Sequence, residues 1–277
     1  MSALNLAILA SALTLFGAVP VGAQALGFGS QINEPIYIEA EKEIEWRREE
    51  SVYTARGNAR ASQGGVTVEA ASLSAYYRET EAGSIEIYLL QAEHNVRITS
   101  EAETATGETA VFDIIGGVLV ITGDEVRLVT TEDVIVARDS LEYYQHQRLA
   151  AARGGATATR GDKQVSADVL MAYFSPGDGG ARASDVERME AIGNVLISTP
   201  QDIVRARRGD YNPNTGIATL TGDVKITRGD NQMNGEFAEV NLNTGISRIT
   251  GGDQDGGRVK GLVLPTARAR PNEPLGR

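Results

Sequence analysis

The chain has no cysteine, and aromatic residues make up only 5% of its sequence. Without disulfides, the fold must be held by buried apolar side chains and by strand pairing. Because large rings are scarce, we expect a core of Val, Ile, Leu and Ala. Thiolate ligands are absent, and the two histidines, His94 and His146, lack metal-ligand spacing. We therefore predict that the chain holds no metal and no cofactor.

Basic residues are too few for a nucleic-acid-binding face, because the formal net charge at pH 7 is −11. The sequence also lacks a Gly-x-Ser-x-Gly elbow, a P-loop and a dinucleotide-binding fingerprint. Most Asp residues stand in Gly-Asp turns, where a structural role is sufficient. We therefore predict no catalytic residue and no enzymatic activity. A β-helical enzyme that uses an Asp/Glu pair on polysaccharide stays open as an alternative.

The first 25 residues contain no charged side chain. Residues 3–19 are mostly apolar, Pro20 and Gly22 end the apolar stretch, and Ala23 and Ala25 form a small-x-small cleavage site. This pattern is typical of a secretory signal peptide, so we predict cleavage after Ala25. An uncleaved membrane anchor is the alternative, because the apolar stretch is almost long enough to span a bilayer.

A unit of about thirty residues repeats along the chain, headed by Gly-Asn or Gly-Asp and an alternating apolar pair. Clear copies begin at Gly193 and Gly222, and His94 replaces the glycine in another, so we expect His94 to be a turn residue. Heads stand at positions 57, 94, 123, 154, 193, 222 and 251, so successive heads are 37, 29, 31, 39, 29 and 29 residues apart. Such a period predicts a stacked array in which each unit contacts mainly its neighbours.

Strand signals and turn signals alternate within these units. Gly-Asp, Gly-Gly and Asn-Thr-Gly sequences supply the positive φ of tight hairpins, and we predict two or three strands per unit. A small residue followed by a larger one marks the middle of each unit and predicts a bend or a close approach of layers. These pairs are Ala70 and Tyr76, Ala105 and Phe112, Ala137 and Tyr143, Ala167 and Tyr173, Ala206 and Tyr211, and Gly235 and Val240.

Alternation places every second side chain of a strand on the same face. If Val195 and Ile197 face the interior, the equivalent residues of the other units do so as well. We predict that the following residues form one continuous apolar inner surface: Val66, Val68, Val96, Ile98, Phe112, Val126, Leu128, Val134, Val136, Val195, Ile197, Val224 and Ile226. A closed, packed sandwich needs the same pattern, so the sequence leaves open whether the interior holds a ligand.

Three stretches resemble the OstA-like family. They are an opening strand at residues 34–40, a signature unit from Tyr53 to Tyr76, and a last strand at residues 258–265. The resemblance covers residues 34–265. It implies a domain order of signal peptide (1–25), flexible segment (26–33), β-jellyroll (34–265) and disordered tail (266–277).

The resemblance implies an all-β fold, a twisted and open β-jellyroll, with an apolar groove along its length. It further implies a periplasmic, non-enzymatic bridge that carries lipopolysaccharide from the inner to the outer membrane, with the lipid A acyl chains in the groove. Its partners would be further copies joined head to tail and the inner-membrane and outer-membrane components of the lipopolysaccharide transport machinery. A paralogue tethered to the inner membrane and an adhesive array that binds no lipid remain alternatives.

Open strand edges at the two ends of such a jellyroll suit this end-to-end assembly. Ile36 and Ile38 stand at one end, and Val259 and Leu262 stand at the other. Unpaired edge strands are templates for pairing with another chain. Unlike ends that join head to tail produce an open filament rather than a closed ring.

Overall fold

Eighteen β-strands of one antiparallel sheet make up the described part of the chain. The computed structural model describes residues 35–81, 83–175, 186–241, 243–244, 246–252 and 257–264. The strands are β1 (Tyr37–Glu39), β2 (Glu43–Arg47), β3 (Val52–Gln63), β4 (Val66–Glu79), β5 (Ile85–Thr99), β6 (Glu103–Asp113), β7 (Val118–Thr122), β8 (Val126–Thr130), β9 (Val134–Ala137), β10 (Ser140–Tyr144), β11 (Leu149–Arg160), β12 (Lys163–Phe174), β13 (Val186–Ser198), β14 (Asp202–Asn212), β15 (Ile217–Arg228), β16 (Asn231–Asn241), β17 (Ile246–Thr250) and β18 (Lys260–Leu262). The prediction of an all-β jellyroll is confirmed.

Some predicted features lie outside the described residues. They are the signal peptide with Ala23 and Ala25, the segment 26–33, and the tail 266–277, and they stay predictions. Within the ranges that the structure describes, no helix is long and apolar enough to cross a membrane.

Each long strand is bent in its middle, so the meander forms two layers. In β3, residues 52–56 pair with β2 and residues 60–62 pair with β1, with a register break between the two halves. We name the side that contains β2, β7, β10 and β17 the first layer. The side that contains β1, β8, β9 and β18 is the second layer. The layers face each other, because each of the two core clusters contains side chains from both.

The repeat heads form these bends. Gly193 and Asn194 lie within β13 with φ of 76° and 50°, and Gly222 and Asp223 lie within β15 with φ of 82° and 49°. Glycine adopts this region freely, and Asn and Asp tolerate it better than other residues. Two consecutive residues of positive φ turn the strand from one layer into the other, as bulges do.

The prediction that Gly-Asp and Gly-Gly mark hairpins is therefore wrong at the heads. Gly222-Asp223 and Gly154-Gly155 lie inside strands, whereas Gly161-Asp162, Gly229-Asp230 and Asn214-Thr215-Gly216 are hairpin turns as predicted. His94 has a φ of 62° within β5, so it occupies a bend rather than a turn. Each unit accordingly contains two bent strands.

Small residues stand opposite the bends. Ala206 pairs with Val195, and Gly235 pairs with Val224. The equivalent partner of Val96 is Gly107, so the assignment of Ala105 to this position was two residues out of register. Because the strand folds over at this point, little space remains for a side chain, as the mid-unit pattern predicted.

The two outer edges of the sheet are open in the described part of the chain. β1 and β2 pair only with β3, and β17 and β18 pair only with β16. Counting β1 with β2, β7 with β8, β9 with β10, and β17 with β18 as single interrupted strands, the eighteen strands form fourteen long ones. Since fourteen is even, the first and last long strands run in opposite directions.

Substituting Gly107 with alanine tests the crowding at a bend. A methyl group there would lie 2.6 Å from Cγ2 of Ile121 and 2.9 Å from the carbonyl oxygen of Thr122. We expect Gly107→Ala to lower the free energy of unfolding by about 1–3 kcal/mol, the usual range for overpacking. Urea unfolding measures the effect. Gly261→Ala is the control, because an added methyl there meets nothing within 4 Å. Equal midpoints for the two variants would contradict the crowding argument.

Candidate functional site

Two apolar cavities lie between the layers. The N-terminal cavity has a volume of about 290 Å³, and its lining includes Ile38, Leu73 and Ile98. The central cavity has a volume of about 200 Å³, and its lining includes Leu128 and Ile135. Leu119 lines both cavities, so they adjoin each other. Together they form a largely apolar interior that begins at the β1 edge and reaches the middle of the sheet.

Alanine side chains leave the central cavity unfilled. Its lining includes Ala105, Ala150, Ala152, Ala158 and Ala172. These methyl groups are too short to meet across the space between the layers. An apolar cavity of about 150 Å³ stays dry and binds small apolar molecules, so the interior suits hydrocarbon rather than a polar ligand.

Seven of the predicted inner-surface residues belong to this N-terminal and central part, and they face the interior. Val68, Ile98 and Phe112 line the N-terminal cavity, and Leu128 lines the central one. The other three pack in the same core cluster: Val66, Val96 and Val126.

Val134 and Val136 face the outside, so their assignment to the inner surface was wrong. The buried Val126 pairs with Ala137, and the cavity-lining Leu128 pairs with Ile135. Residues that pair directly share a face, and their chain neighbours point the opposite way. The run 134–137 is apolar throughout, so alternation could not determine its phase. Ile135 takes the inward position.

The C-terminal part of the interior is filled by side chains. Val195, Ile197, Val224 and Ile226 face inward, but only 1–2% of their surface is exposed. They pack in one cluster with Val204, Leu220 and Tyr211, among others. Larger aliphatic groups here replace the alanines of the central cavity. The continuous inner surface that the pattern predicted is therefore an open space at one end and a packed core at the other.

The predicted end-pairing residues lie at the outer edges of the sheet. Ile36 and Ile38 line the N-terminal cavity beside β1, while Val259 and Leu262 are exposed beside and within β18. Other large apolar side chains are exposed at the same two edges: Tyr37, Ile44, Trp46, Ile246, Val263 and Leu264. These edges combine unpaired backbone with exposed apolar surface.

Two partly buried ion pairs on the second layer were missed from the sequence. Asp133 binds Arg160 through two hydrogen bonds of 2.6 and 2.7 Å. Asp202 binds Arg228 through two more, also of 2.6 and 2.7 Å. Hydrogen bonding to the carboxylate raises the pKa of each guanidinium, Arg160 and Arg228. These paired charges lie where the strands of the second layer meet their hairpins.

A sequence signal for these pairs exists. Each Asp ends a Thr-x-x-Asp turn, in which the Thr Oγ1 accepts a 2.9 Å hydrogen bond from the backbone N–H of Asp133 or Asp202. The partner arginine opens an Arg-Gly-Asp hairpin 27 or 26 residues later. The repeat period thus brings the two motifs together, but neither motif alone identifies a pair.

Other polar side chains near the cavities form hydrogen bonds or have a shifted pKa. Glu142, on the outer face, accepts hydrogen bonds from Ser140, Arg153 and Tyr144. Burial raises the pKa of Tyr143, and the nearby Glu103 raises it further. In the described ranges, no group of three or more His, Asp and Glu residues could hold a metal ion.

Part of the chain matches a family of lipopolysaccharide transport proteins. Residues 136–246 match the family described as LptA/(LptD N-terminal domain) LPS transport protein. This segment extends from β9 to the first residue of β17, and the same bent-strand repeat continues on its N-terminal side. The match therefore covers the packed core and one wall of the central cavity.

Two known proteins align with the chain. An uncharacterized protein of Rhizobium meliloti (strain 1021) is 28% identical over 109 residues, which is 38% of this chain. The aligned segment spans 58% of that relative's length. The crystal structure of LptH from Pseudomonas aeruginosa, the LptA homologous periplasmic component of the lipopolysaccharide transport device, aligns over 84% of this chain and 96% of its own. The identity is 9% and the TM-score is 0.21, so this alignment carries no argument of its own.

Removal of one carboxylate from these ion pairs tests their contribution to stability. The side chain of Asp202 is 0% exposed and that of Arg228 is 25% exposed. Asp202→Ala removes both hydrogen bonds between the buried carboxylate and the partly buried guanidinium of Arg228, and we expect a loss of about 3 kcal/mol in the free energy of unfolding. Glu86→Ala is the control, because the Arg78–Glu86 pair is 58% and 44% exposed and should contribute little. Urea unfolding measures the free energy of unfolding of both variants. An equal loss in the two variants would contradict a larger contribution from the Asp202–Arg228 pair.

Proposed function

We propose that this chain is a member of the OstA-like family and that it binds the acyl chains of lipopolysaccharide between its two layers. The observation that carries this proposal is the pair of adjoining apolar cavities, with volumes of about 290 and 200 Å³. The family match over residues 136–246 supports lipopolysaccharide as the ligand. The role that we assign to the chain is that of LptA, a periplasmic carrier from the inner to the outer membrane.

Acyl chains need an apolar enclosure because their transfer into water is strongly unfavourable. Each methylene removed from water gives about 0.8 kcal/mol, so a lipid with several acyl chains resists entering water by tens of kcal/mol. A carrier need not bind with that net affinity. It needs an apolar surface that replaces the membrane while the sugars remain in water. The sequence has no P-loop, so the driving energy comes from another component.

The two-layer arrangement leaves room for a larger ligand. Every strand pairing of the described chain lies within one layer, and the layers are joined by the bent strands and by side-chain packing. The layers can therefore move apart at the strand ends, where the hairpins lie, without loss of a backbone hydrogen bond. The bends in the middle of the strands keep the layers joined. The packed C-terminal part would open last, because its side chains meet across the gap.

End-to-end contact completes the proposed bridge. The open edges at β1–β2 and at β17–β18 expose apolar side chains, and each of these strands is paired on one side only, which suits β-strand addition. We propose that copies of the chain join through these edges, and that the terminal copies contact the inner-membrane and outer-membrane components of the transport machinery. The lipid then passes from one cavity to the next without entering water.

Photo-crosslinking at neighbouring residues tests lipid binding. Leu128 lines the central cavity, whereas Val129 is 37% exposed on the outer face. With a photoreactive residue at Leu128, we expect an adduct that lipopolysaccharide-specific antibody detects in cells. The same residue at Val129 should give little or none. Equal adducts at the two positions, or none at Leu128, would argue against the interior as the lipid site.

The mass of the exported protein separates the carrier from a tethered paralogue. If residues 1–25 are a cleaved signal peptide, intact-mass measurement of the periplasmic protein should give a chain that begins at Leu26. Retention of residues 1–25 in a membrane fraction would instead support the tethered alternative.

A further inference from the structure

The two open edges of the sheet differ in charge. The N-terminal edge, residues 37–47, carries four glutamates at alternate positions, Glu39, Glu41, Glu43 and Glu45, and two basic residues, Lys42 and Arg47. The described residues of the C-terminal edge carry only basic charges: Arg248, Arg258 and Lys260. Asp253 and Asp255, between β17 and β18, lie outside the described residues.

Cross-strand register connects these charges across the whole molecule. On the outer face of the first layer, a row of directly paired residues begins at Glu45, passes through Val111 and Asp210, and ends at Arg248. On the outer face of the second layer, another row begins at Glu39 and ends at Lys260. Each row therefore has an acid at one end and a base at the other.

Apolar residues are matched at the ends of the neighbouring rows. Tyr37 and Leu262 end an outer row of the second layer, and they are 66% and 55% exposed. Ile44 and Ile249 end an inward row of the first layer. If a second copy continued these rows, apolar side chains would meet apolar ones, and Glu39 and Glu45 would meet Lys260 and Arg248.

The backbone favours the same continuation. The first long strand runs from the second layer to the first, and the last runs from the first layer to the second. When unlike edges meet with first layer beside first layer, the adjoining strands are antiparallel. The meander then continues across the contact with its hydrogen-bonding pattern unchanged.

We propose that β17 and β18 of one copy pair with β2 and β1 of the next copy in the register that continues these rows, and that charge selects this contact between unlike edges. The proposal rests on the end-to-end association proposed above and adds its register and its selectivity. The occupant of each edge is thus a second copy of this chain.

Charge is needed for this selection because the backbone alone does not provide it. Two N-terminal edges related by a two-fold axis would also present antiparallel strands to each other. That contact would bring together eight glutamates and four basic residues, an excess of four negative charges, and directly opposed like charges destabilise a strand pair. The contact between unlike edges places Glu opposite Lys or Arg and leads to an open filament.

Glu39 and Lys260 are the informative pair. Glu43 and Glu45 already contact Arg56 within their own copy, at 2.8 and 2.9 Å. Both Glu39 and Lys260 are exposed, and within the described ranges neither forms an ion pair. Changing them therefore removes an interaction between copies with little effect inside one copy.

Charge reversal tests the selection. We expect Glu39→Lys or Lys260→Glu alone to weaken self-association of the chain about tenfold, as measured by sedimentation at low salt. The double variant restores association, because its reversed charges again match. High salt should reduce the differences between the variants by screening. Lys225→Glu is the control, since Lys225 lies on the same row but two strands away from the edge, and it should change little.

Engineered cysteines test the register, because the natural chain has none. Directly opposed residues have Cα atoms about 4.5–5.5 Å apart, which a disulfide spans. A mixture of Glu39→Cys chains and Lys260→Cys chains should therefore give mixed disulfide dimers under mild oxidation. Tyr37→Cys with Lys260→Cys is displaced by two residues, roughly 7 Å, and should give far fewer.

The outcomes separate this inference from the proposed function. Association that ignores charge reversal, or preferential Glu39→Cys homodimers, would overturn the inference and leave end-to-end transport intact. A natural chain that stays monomeric at every concentration would overturn both the inference and the bridge. Lipid binding at Leu128 is measured independently of either result.

Discussion

Positive φ at two consecutive residues is the constraint on which this fold depends. At Gly193-Asn194 and Gly222-Asp223 it turns a single strand from one layer into the other, so that both layers come from the same strands. Without these bends the meander would be one broad sheet with no enclosed side. The residues opposite the bends must be small for the same reason, which explains Ala206 and Gly235. The enclosed interior and the two open edges of the sheet both follow from this geometry.

Side-chain size then decides what the enclosed space becomes. The central part has alanines such as Ala105 in one layer and Ala152 in the other, and a cavity remains. The C-terminal part has Ile197, Leu220 and Ile226 at equivalent inward positions, and the space is filled. The same backbone thus encloses a cavity in one part and a packed core in another. The lipid site that we propose therefore lies in the N-terminal and central units, and the last units form the packed core next to the open edge.

Periodicity predicted most of the fold, because the bend residues recur at the repeat spacing and the inward valines follow them. Periodicity gave the wrong facing for Val134 and Val136, because every residue of that run is apolar. Alternation therefore could not tell which side chains point inward. Periodicity also mistook bends for hairpins, since Gly-Asp supplies positive φ in both. Filling of the interior depends on contacts between distant strands, so the burial of Ile226 could not be read from alternation. The Asp202–Arg228 pair was missed because its members belong to adjacent hairpins 26 residues apart.

The repeat also governs how such proteins can vary in length. Each unit contributes two bent strands, one in each direction, so gain or loss of a whole unit preserves the orientation of the terminal strand. Gain of half a unit would reverse it and spoil antiparallel bonding to a neighbour. Evolution can therefore lengthen the molecule by whole units without changing the direction of its terminal strands. Proteins of different length can then use the same antiparallel strand pairing between copies.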